Sequence, residues 1–340
     1  MANIFLRSPY FISQTQQGAG LSVKLNINID GVDVYLLNKN KSSTSSFVLF
    51  EVSELVRDYL NIKYNGTPLA SDFSSVVVLT YTWYSGLAGA GTVIGTPYVV
   101  NAFGIDAYGY YENGSNPTTT KGYMQSNDVI YKFAGQYLRI PLDTNNVTEI
   151  VFNFEGDEES QSLINPSTTE VFNHFELQSA DCDEVVITTT DGVKTIKVLT
   201  LDACKFQPVK LSFINKWGAL QDLIFFKKSI KKINAKRESY NRSISNSDSG
   251  VYDVNVHQTK TYNVQASKKI TVNTGFVSED YNAPMEELLL SELVWMTIGS
   301  VITPMNVEKK DMVFKTSLNN KLVDYTLELS YAYNTINNIR

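Results

Sequence analysis

Residues 23–36 alternate apolar and polar side chains on both sides of an Asp30-Gly31 turn, with Val23, Leu25, Ile27 and Ile29 leading in and Val32, Val34 and Leu36 leading back. Successive side chains of a strand point to opposite faces, whereas a helix repeats every three to four positions. The run therefore predicts a β-hairpin with one buried face and one wet face. The same alternation returns over residues 322–333, after a turn at Asn319-Asn320 that follows a further strand at 311–316. Shorter strand-like runs bounded by turn residues recur at 47–50, 75–84, 137–141, 148–154, 184–199 and 260–273. The early part of 75–84, Ser75-Val76-Val77-Val78-Leu79, is apolar enough to predict burial on both faces. Val254-Asn255-Val256 also has strand character.

Turns at this spacing predict an all-β chain of two β-sandwich or barrel-like domains with two short helices, rather than a parallel α/β sheet. Three hundred and forty residues are enough for about two cores. The expected division is an N-terminal β-sandwich over residues 1–143, carrying tyrosine- and glycine-rich loops, and a C-terminal β domain over residues 144–340. The latter holds the central hairpin and a short helix near 284–293. In the first helix, residues 54–60, Ser53 is the expected N-cap and Glu54 sits at the positive end of the dipole. In the second, Asn282 is the expected cap, Pro284 suits the first turn and Glu286 and Glu287 complement the dipole. Leu288, Leu289, Leu290 and Leu293 supply its buried face.

The central run, residues 210–239, reads as two apolar strands joined at Asn215-Lys216-Trp217-Gly218 and followed by lysines. A tryptophan at a hairpin tip is expected to pack against something, because aromatic rings bury most of their surface. Beyond it, Lys227, Lys228, Lys231, Lys232, Lys236, Arg237 and Arg242 are opposed within the segment only by Glu238. On an extended strand these cations fall on both faces, which does not make the one-sided stripe suited to a phosphate backbone. A solvated edge strand is the first reading, and pairing with acidic loops of a neighbouring copy comes next. With a net charge of −6, direct contact with nucleic acid is not expected.

Residues 86–122 read as a long loop region. The glycines at 89, 91 and 95 miss dinucleotide-binding spacing, and Pro97 follows where a helix would have to start. Tyr108, Tyr110 and Tyr111 lie in its polar, aromatic part. That part has two readings of equal weight, a contact surface or a loop packed on its own domain. The acidic run 155–159 lacks the register of a calcium loop and reads as a solvated turn.

No catalytic constellation stands out. His174 and His257 lie beside no glycine-flanked nucleophile, and neither has ligand spacing to Cys182 or Cys204, so neither metal nor cofactor is expected. A hairpin between the cysteines brings them to one end. A disulfide is geometrically possible there, but free buried thiols are favoured in a reducing compartment. Dispersed carboxylates leave a depolymerase open as a third reading. There is no apolar run of about 20 residues to span a bilayer. The opening residues have no cleavable-signal pattern, so the chain is expected to be made and folded in a cytoplasm.

Four segments carry a resemblance. They are Phe5-Leu6-Arg7-Ser8-Pro9-Tyr10-Phe11, residues 50–60 (FEVSELVRDYL), LSFINKWGALQDLIFFKKS in the centre and KTSLNNKLVDYTLELSYAY at the end. In this order they resemble virion structural proteins of tailed bacteriophages, the likeness being weaker over the tyrosine-rich loop and the acidic run. The resemblance implies a non-enzymatic, β-rich ring or adaptor subunit of a tail, neck or baseplate. Its partners would be other copies in a cyclic ring and neighbouring tail or neck proteins. It also implies a virion location after assembly in the bacterial host cytoplasm. Expected assembly contacts are Trp217, Lys227, Lys228, Lys231, Lys232, Tyr108, Tyr110 and Tyr111. The alternative is a receptor- or carbohydrate-binding tail module, with Trp83, Tyr84 and the tyrosine loop as a stacking surface.

Overall fold

The computed structural model describes residues 2–67, 72–109, 114–116, 122–133, 138–143, 146–154, 157–162, 172–177, 182–201, 205–243, 251, 254–308, 311–313 and 322–335. The chain is all-β with two short α-helices. By contact density it forms two interleaved units. One comprises Met1–Ala203, Phe213–Leu223 and Asp280–Ser291, and the other Cys204–Ser212, Ile224–Glu279 and Glu292–Arg340. Residues 144–203 thus group with the first unit, whereas the sequence pattern suggested a boundary at 143/144. The cause is a pairing the sequence does not advertise, in which a strand at 129–133 runs parallel to one at 197–201.

The first unit begins with β1 (Ala2–Phe5), β2 (Phe11–Thr15), β3 (Ser22–Ile29), β4 (Val32–Asn40), β5 (Phe47–Glu51), α1 (Ser53–Arg57), β6 (Ser74–Tyr84) and β7 (Val93–Ile105). Five of these make a sheet in the order β1-β7-β6-β3-β4, while β2 and β5 pair separately. The predicted β3–β4 hairpin is present, with Ile29 opposite Val32. Val23, Leu25, Ile27 and Ile29 meet Val77, Leu79, Tyr81 and Trp83 of β6 in one core, to which the β2–β5 pair and α1 add Ile12, Val48, Phe50 and Val56. Every second residue of β6 is buried and the intervening ones are half-buried. This corrects the expectation of burial on both faces, since only one face of the sheet is covered by the core.

Two further expectations fail here. Residues 93–105, read as loop, are the 13-residue strand β7. Its pattern is broken because β6 pairs Tyr81 with Tyr98 but Trp83 with Ile94, leaving Gly95-Thr96-Pro97 as a bulge. Gly95 takes φ +70° there, and a bulge tolerates a proline that cannot donate to the ladder. Ser53 does not cap α1, because Val52 precedes the first helical residue. The Glu51 carboxylate accepts both the Ser53 N–H at 2.9 Å and the Ser53 hydroxyl. The short helix is held by packing instead, as Gly104 of β7 allows Val56 so close that an added Cβ would stand 2.9 Å from its Cγ1.

The second part of this unit contains β8 (Val129–Phe133), β9 (Leu138–Asp143), β10 (Val147–Phe154), β11 (Asp157–Ser162), β12 (Phe172–Leu177), β13 (Cys182–Thr189) and β14 (Gly192–Leu201). The sheet order is β11-β10-β13-β14-β8, and β9 pairs with β12. Ile140, Leu142, Ile150, Phe152, Val185, Ile187, Ile196 and Val198 make a second core. The acidic run is not a turn from Asp157 onward. It is the edge strand β11, which returns along β10 with Asp157 opposite Phe154.

The central hairpin follows as β15 (Val209–Ile214) and β16 (Leu220–Phe225), then β17 (Ile230–Asn241), β18 (Thr259–Asn273) and β19 (Val277–Ser278). After α2 (Asn282–Leu290) come β20 (Val294–Ile298), β21 (Val301–Val307), β22 (Leu322–Val323) and β23 (Thr326–Tyr331). The large sheet has the order β16-β15-β20-β21-β23-β18-β17. The alternating run 322–333 is not one strand, since β22 pairs with β19 and β23 with β18 and β21. Residues 254–256 are turn, and the strand starts at Thr259. The residue preceding α2 is Tyr281, so Asn282 is its first helical residue rather than its cap. No helix among the described residues is long and apolar enough to cross a membrane.

Candidate assembly surface

The basic segment forms β17, the terminal strand of the large sheet. Its 12 residues extend about 40 Å at strand rise. Every one of them except Glu238 is exposed. Among the described residues its one strand partner is β18, which β23 braces over Lys269–Asn273. Ala266, opposite Ala235, is buried and its carbonyl accepts the Thr335 N–H at 2.8 Å, and from Lys236 to Asn241 the pair is, among the described residues, a two-stranded ribbon with a register shift after Glu238.

The sequence explains this form. A strand buried on one face needs apolar residues every second position, but β17 offers Lys231, Lys232, Lys236 and Arg237 with Ile230 and Ile233, both 59% exposed. Charged stems cover neighbouring apolar surface while their heads stay in water, so the strand has no face to bury. At its root, Lys232 stands directly opposite Lys269. The Lys269 ammonium lies 3.0 Å from Glu308 and 3.3 Å from Glu328, and hydrogen bonds to those carboxylates hold its pKa above the ordinary lysine value. Among the described residues Lys231, Lys232, Lys236 and Arg237 make no ion pair. Lys227 and Lys228 are exposed just before the strand, Lys227 with its ammonium 5.8 Å from the Phe226 ring.

Trp217 has a different setting. At the hairpin tip it is half-buried, and the Lys216 ammonium lies 4.2 Å from its ring centroid. The tip is packed, as expected of its tryptophan, but within the first unit, whereas the sequence reading placed the hairpin in a C-terminal domain. Asn215, fully buried, accepts the N–H groups of Trp217 and Ala219 at 3.1 Å each and donates to the Met124 carbonyl at 2.7 Å and to Gln221 at 3.1 Å. Gly218 takes φ +75° where an added Cβ would be 3.2 Å from the Asp106 backbone. Lys216 also reaches Glu287 of α2 at 3.7 Å. Glu287 is 3% exposed and accepts the Ser126 hydroxyl. Burial pushes its carboxyl above the ordinary value, against the pull of Ser126 and Lys216. Glu287 therefore ties α2 down within the first unit rather than serving the helix dipole, and this buried role carries no periodic signal.

The described part of the tyrosine loop is also tied to its own unit. The Tyr108 N–H donates to the Lys216 carbonyl at 2.9 Å, the Gly109 N–H to the Ser8 hydroxyl at 2.7 Å, and Asn116 to the carbonyls of Phe5 and Ser8. The Arg7 guanidinium lies 5.3 Å from the Tyr108 ring. Tyr110 and Tyr111 lie outside the described residues. Trp83 is 2% exposed in the first core, so it offers no stacking surface for a sugar. Cys182 is buried with its thiol 3.1 Å from the Glu184 carbonyl, while Cys204 lies outside the described residues. Thus the structure keeps Lys227, Lys228, Lys231 and Lys232 together on one exposed segment, and puts Trp217 and Tyr108 together in a packed junction of the first unit.

Compared with models of known protein families and with curated proteins, the chain matches none.

Proposed function

We propose that the chain is a structural subunit that works by assembly, forming a ring or adaptor of a tailed-phage virion with copies of itself and with neighbouring tail, neck or baseplate proteins. On this reading it is made and assembled in the host cytoplasm and performs no turnover. The resemblance of four segments in order supports the phage setting. The observation that carries the assembly reading is β17, a long cationic strand exposed at every residue but Glu238, in a chain whose net charge is −6. A protein gains nothing in its own fold from such a strand, because an isolated hairpin is marginal at best in water. A contact with a partner would supply the burial it lacks.

Light scattering of the purified chain across protein concentration and salt tests the reading. A closed multiple of copies, on the order of six or twelve, or a monomer that is recruited by other virion proteins, supports it, because heterologous contacts close by rotation. A monomer that joins neither itself nor any virion component overturns it.

A further inference from the structure

The core of the first unit is open along one flank, and a strand edge lines the opening. We propose that this seam receives an extended, uncharged segment of another polypeptide, which adds to β2 as a third strand of the β2–β5 pair. The inference goes beyond the assembly reading, since it needs neither the basic strand nor a ring.

On β7, Tyr98 and Val100 stand opposite Tyr81 and Leu79 of β6, so their side chains share the face that carries the core. Tyr81 is 1% exposed, yet Tyr98 is 53% exposed. The reason is that β1 covers the far side of β7 only over residues 102–105, and no other described strand continues it over residues 93–101. A groove of about 620 Å³ opens there, lined by residues 10–17 together with Tyr98 and Val100. Successive residues of β2 all line it, so the strand's main chain is part of the wall.

The ladder fixes which main-chain groups are free. The Val52 N–H donates to the Tyr10 carbonyl at 3.3 Å and the Gln16 N–H to the Ser46 carbonyl at 2.7 Å. Tyr10 and Gln16 therefore turn towards β5, and by the alternation of an antiparallel pair Ile12 and Gln14 do too. Phe11, Ser13 and Thr15 turn their N–H and C=O groups the other way, where no described strand takes them up. The row runs along about 17 Å of strand, and another extended main chain matches it group for group. An oligosaccharide could stack on Tyr98 but would leave that row unmatched.

The side chains set the character of the segment. None of the residues lining the groove is charged. A charge carried into it would lose hydration without gaining a partner. Alternate side chains of an added strand point over Tyr98 and Val100, and those positions take apolar residues. Two buried polar atoms of the seam also lack a hydrogen-bond partner among the described residues, Oε1 of Gln17 in the lining and the hydroxyl of Tyr81. The Tyr81 ring lies 6.4 Å from that of Tyr98. Burial raises the Tyr81 pKa, and the neighbouring Tyr10 and Tyr98 raise it further, which places its hydroxyl beside both lining tyrosines.

The test uses the full chain and a set of acetylated, amidated heptapeptides in which threonine alternates with valine, isoleucine, leucine or phenylalanine. At saturation with the tightest of them, hydrogen exchange of the Phe11, Ser13 and Thr15 amides is expected to slow about tenfold or more, while Ile12 and Gln14, already in the ladder, change less. Ser13→Pro deletes an outward N–H and leaves the β5 ladder intact, as edge strands allow, and is expected to weaken binding about tenfold. Ser13→Ala keeps the main chain and is expected to bind as wild type. Lysine in place of the apolar residues of the peptide is expected to weaken binding about tenfold as well. Should Ser13→Pro disturb folding, exchange in the unaltered chain carries the test. Unchanged exchange at Phe11, Ser13 and Thr15 with every peptide overturns the inference. So does protection by maltohexaose and by no peptide, or protection that grows with the concentration of the chain alone, which would mean that a second copy covers the seam. Each of these outcomes leaves the assembly reading standing.

Discussion

At the scale of single residues, the polar groups that matter most are buried, and they earn their burial by completing hydrogen bonds. Asn215 satisfies two N–H groups of its own turn and a carbonyl 91 residues away, which is why a turn asparagine becomes the anchor of the hairpin tip. Glu287 is the opposite case, a buried carboxyl whose Oε2 atom has no hydrogen-bond partner. Its pKa is raised in the folded chain, so its contribution to stability is fully present below the unfolded value and is lost as pH rises through the folded value. Glu287→Gln removes that loss. In urea titrations, the unfolding free energy of the variant relative to wild type is expected to shift in the variant's favour as pH rises from about 4 to about 7, and a constant difference would refute the assignment.

At the scale of elements, the contrast is between β6, which alternates buried and half-buried over its whole length, and β17, which buries almost nothing. β6 has strands on both sides and a core beneath it, whereas among the described residues the outer part of β17 has β18 alone. Opening of that outer part costs fewer contacts than opening of the root braced by β23. Hydrogen exchange of unassembled chain is therefore expected to be at least tenfold faster at 236–241 than at 269–273, a difference of about 1.4 kcal/mol in local opening. Equal protection would mean that something already covers the ribbon. β7 shows how a strand hides from pattern reading. Gly95, Pro97 and Gly104 look like loop residues, yet each has a place in the strand. Gly95 and Pro97 sit in the bulge, and Gly104 lies under α1.

At the scale of the whole molecule, the chain is not two consecutive halves. The hairpin tip, 213–223, and the stretch around α2, 280–291, belong to the first unit although unit-two sequence lies on both sides of them. They supply partners for polar groups in 122–133. Asn215 binds Met124, Gln221 binds Asn127 at 2.9 Å, and Asp280 accepts the N–H groups of Asp128 and Val129 at 2.6 and 2.8 Å. A fragment of residues 1–203 lacks all of these. Each buried group left unpaired costs about 1–3 kcal/mol, comparable with much of a domain's net stability. The fragment is expected to melt well below the full chain by circular dichroism, and an unchanged melting temperature would show that the first unit ends at Ala203.

The sequence by itself determined the strand-rich class, the hairpins at 23–36 and 182–201, the central hairpin and the exposed basic strand. These follow from local rules, because alternation fixes which faces can be buried and Asp30-Gly31 or Asp191-Gly192 fixes where the chain reverses. The candidate surface was legible for the same reason, since a strand with lysines at consecutive positions has no dry face to offer. Tertiary structure decided the parallel pairings of β1 with β7 and of β8 with β14, the edge position of the acidic run, and the burial of Glu287 and Trp83. Such features depend on residues distant in sequence meeting in space, and no period within a short window records which partner a strand will find.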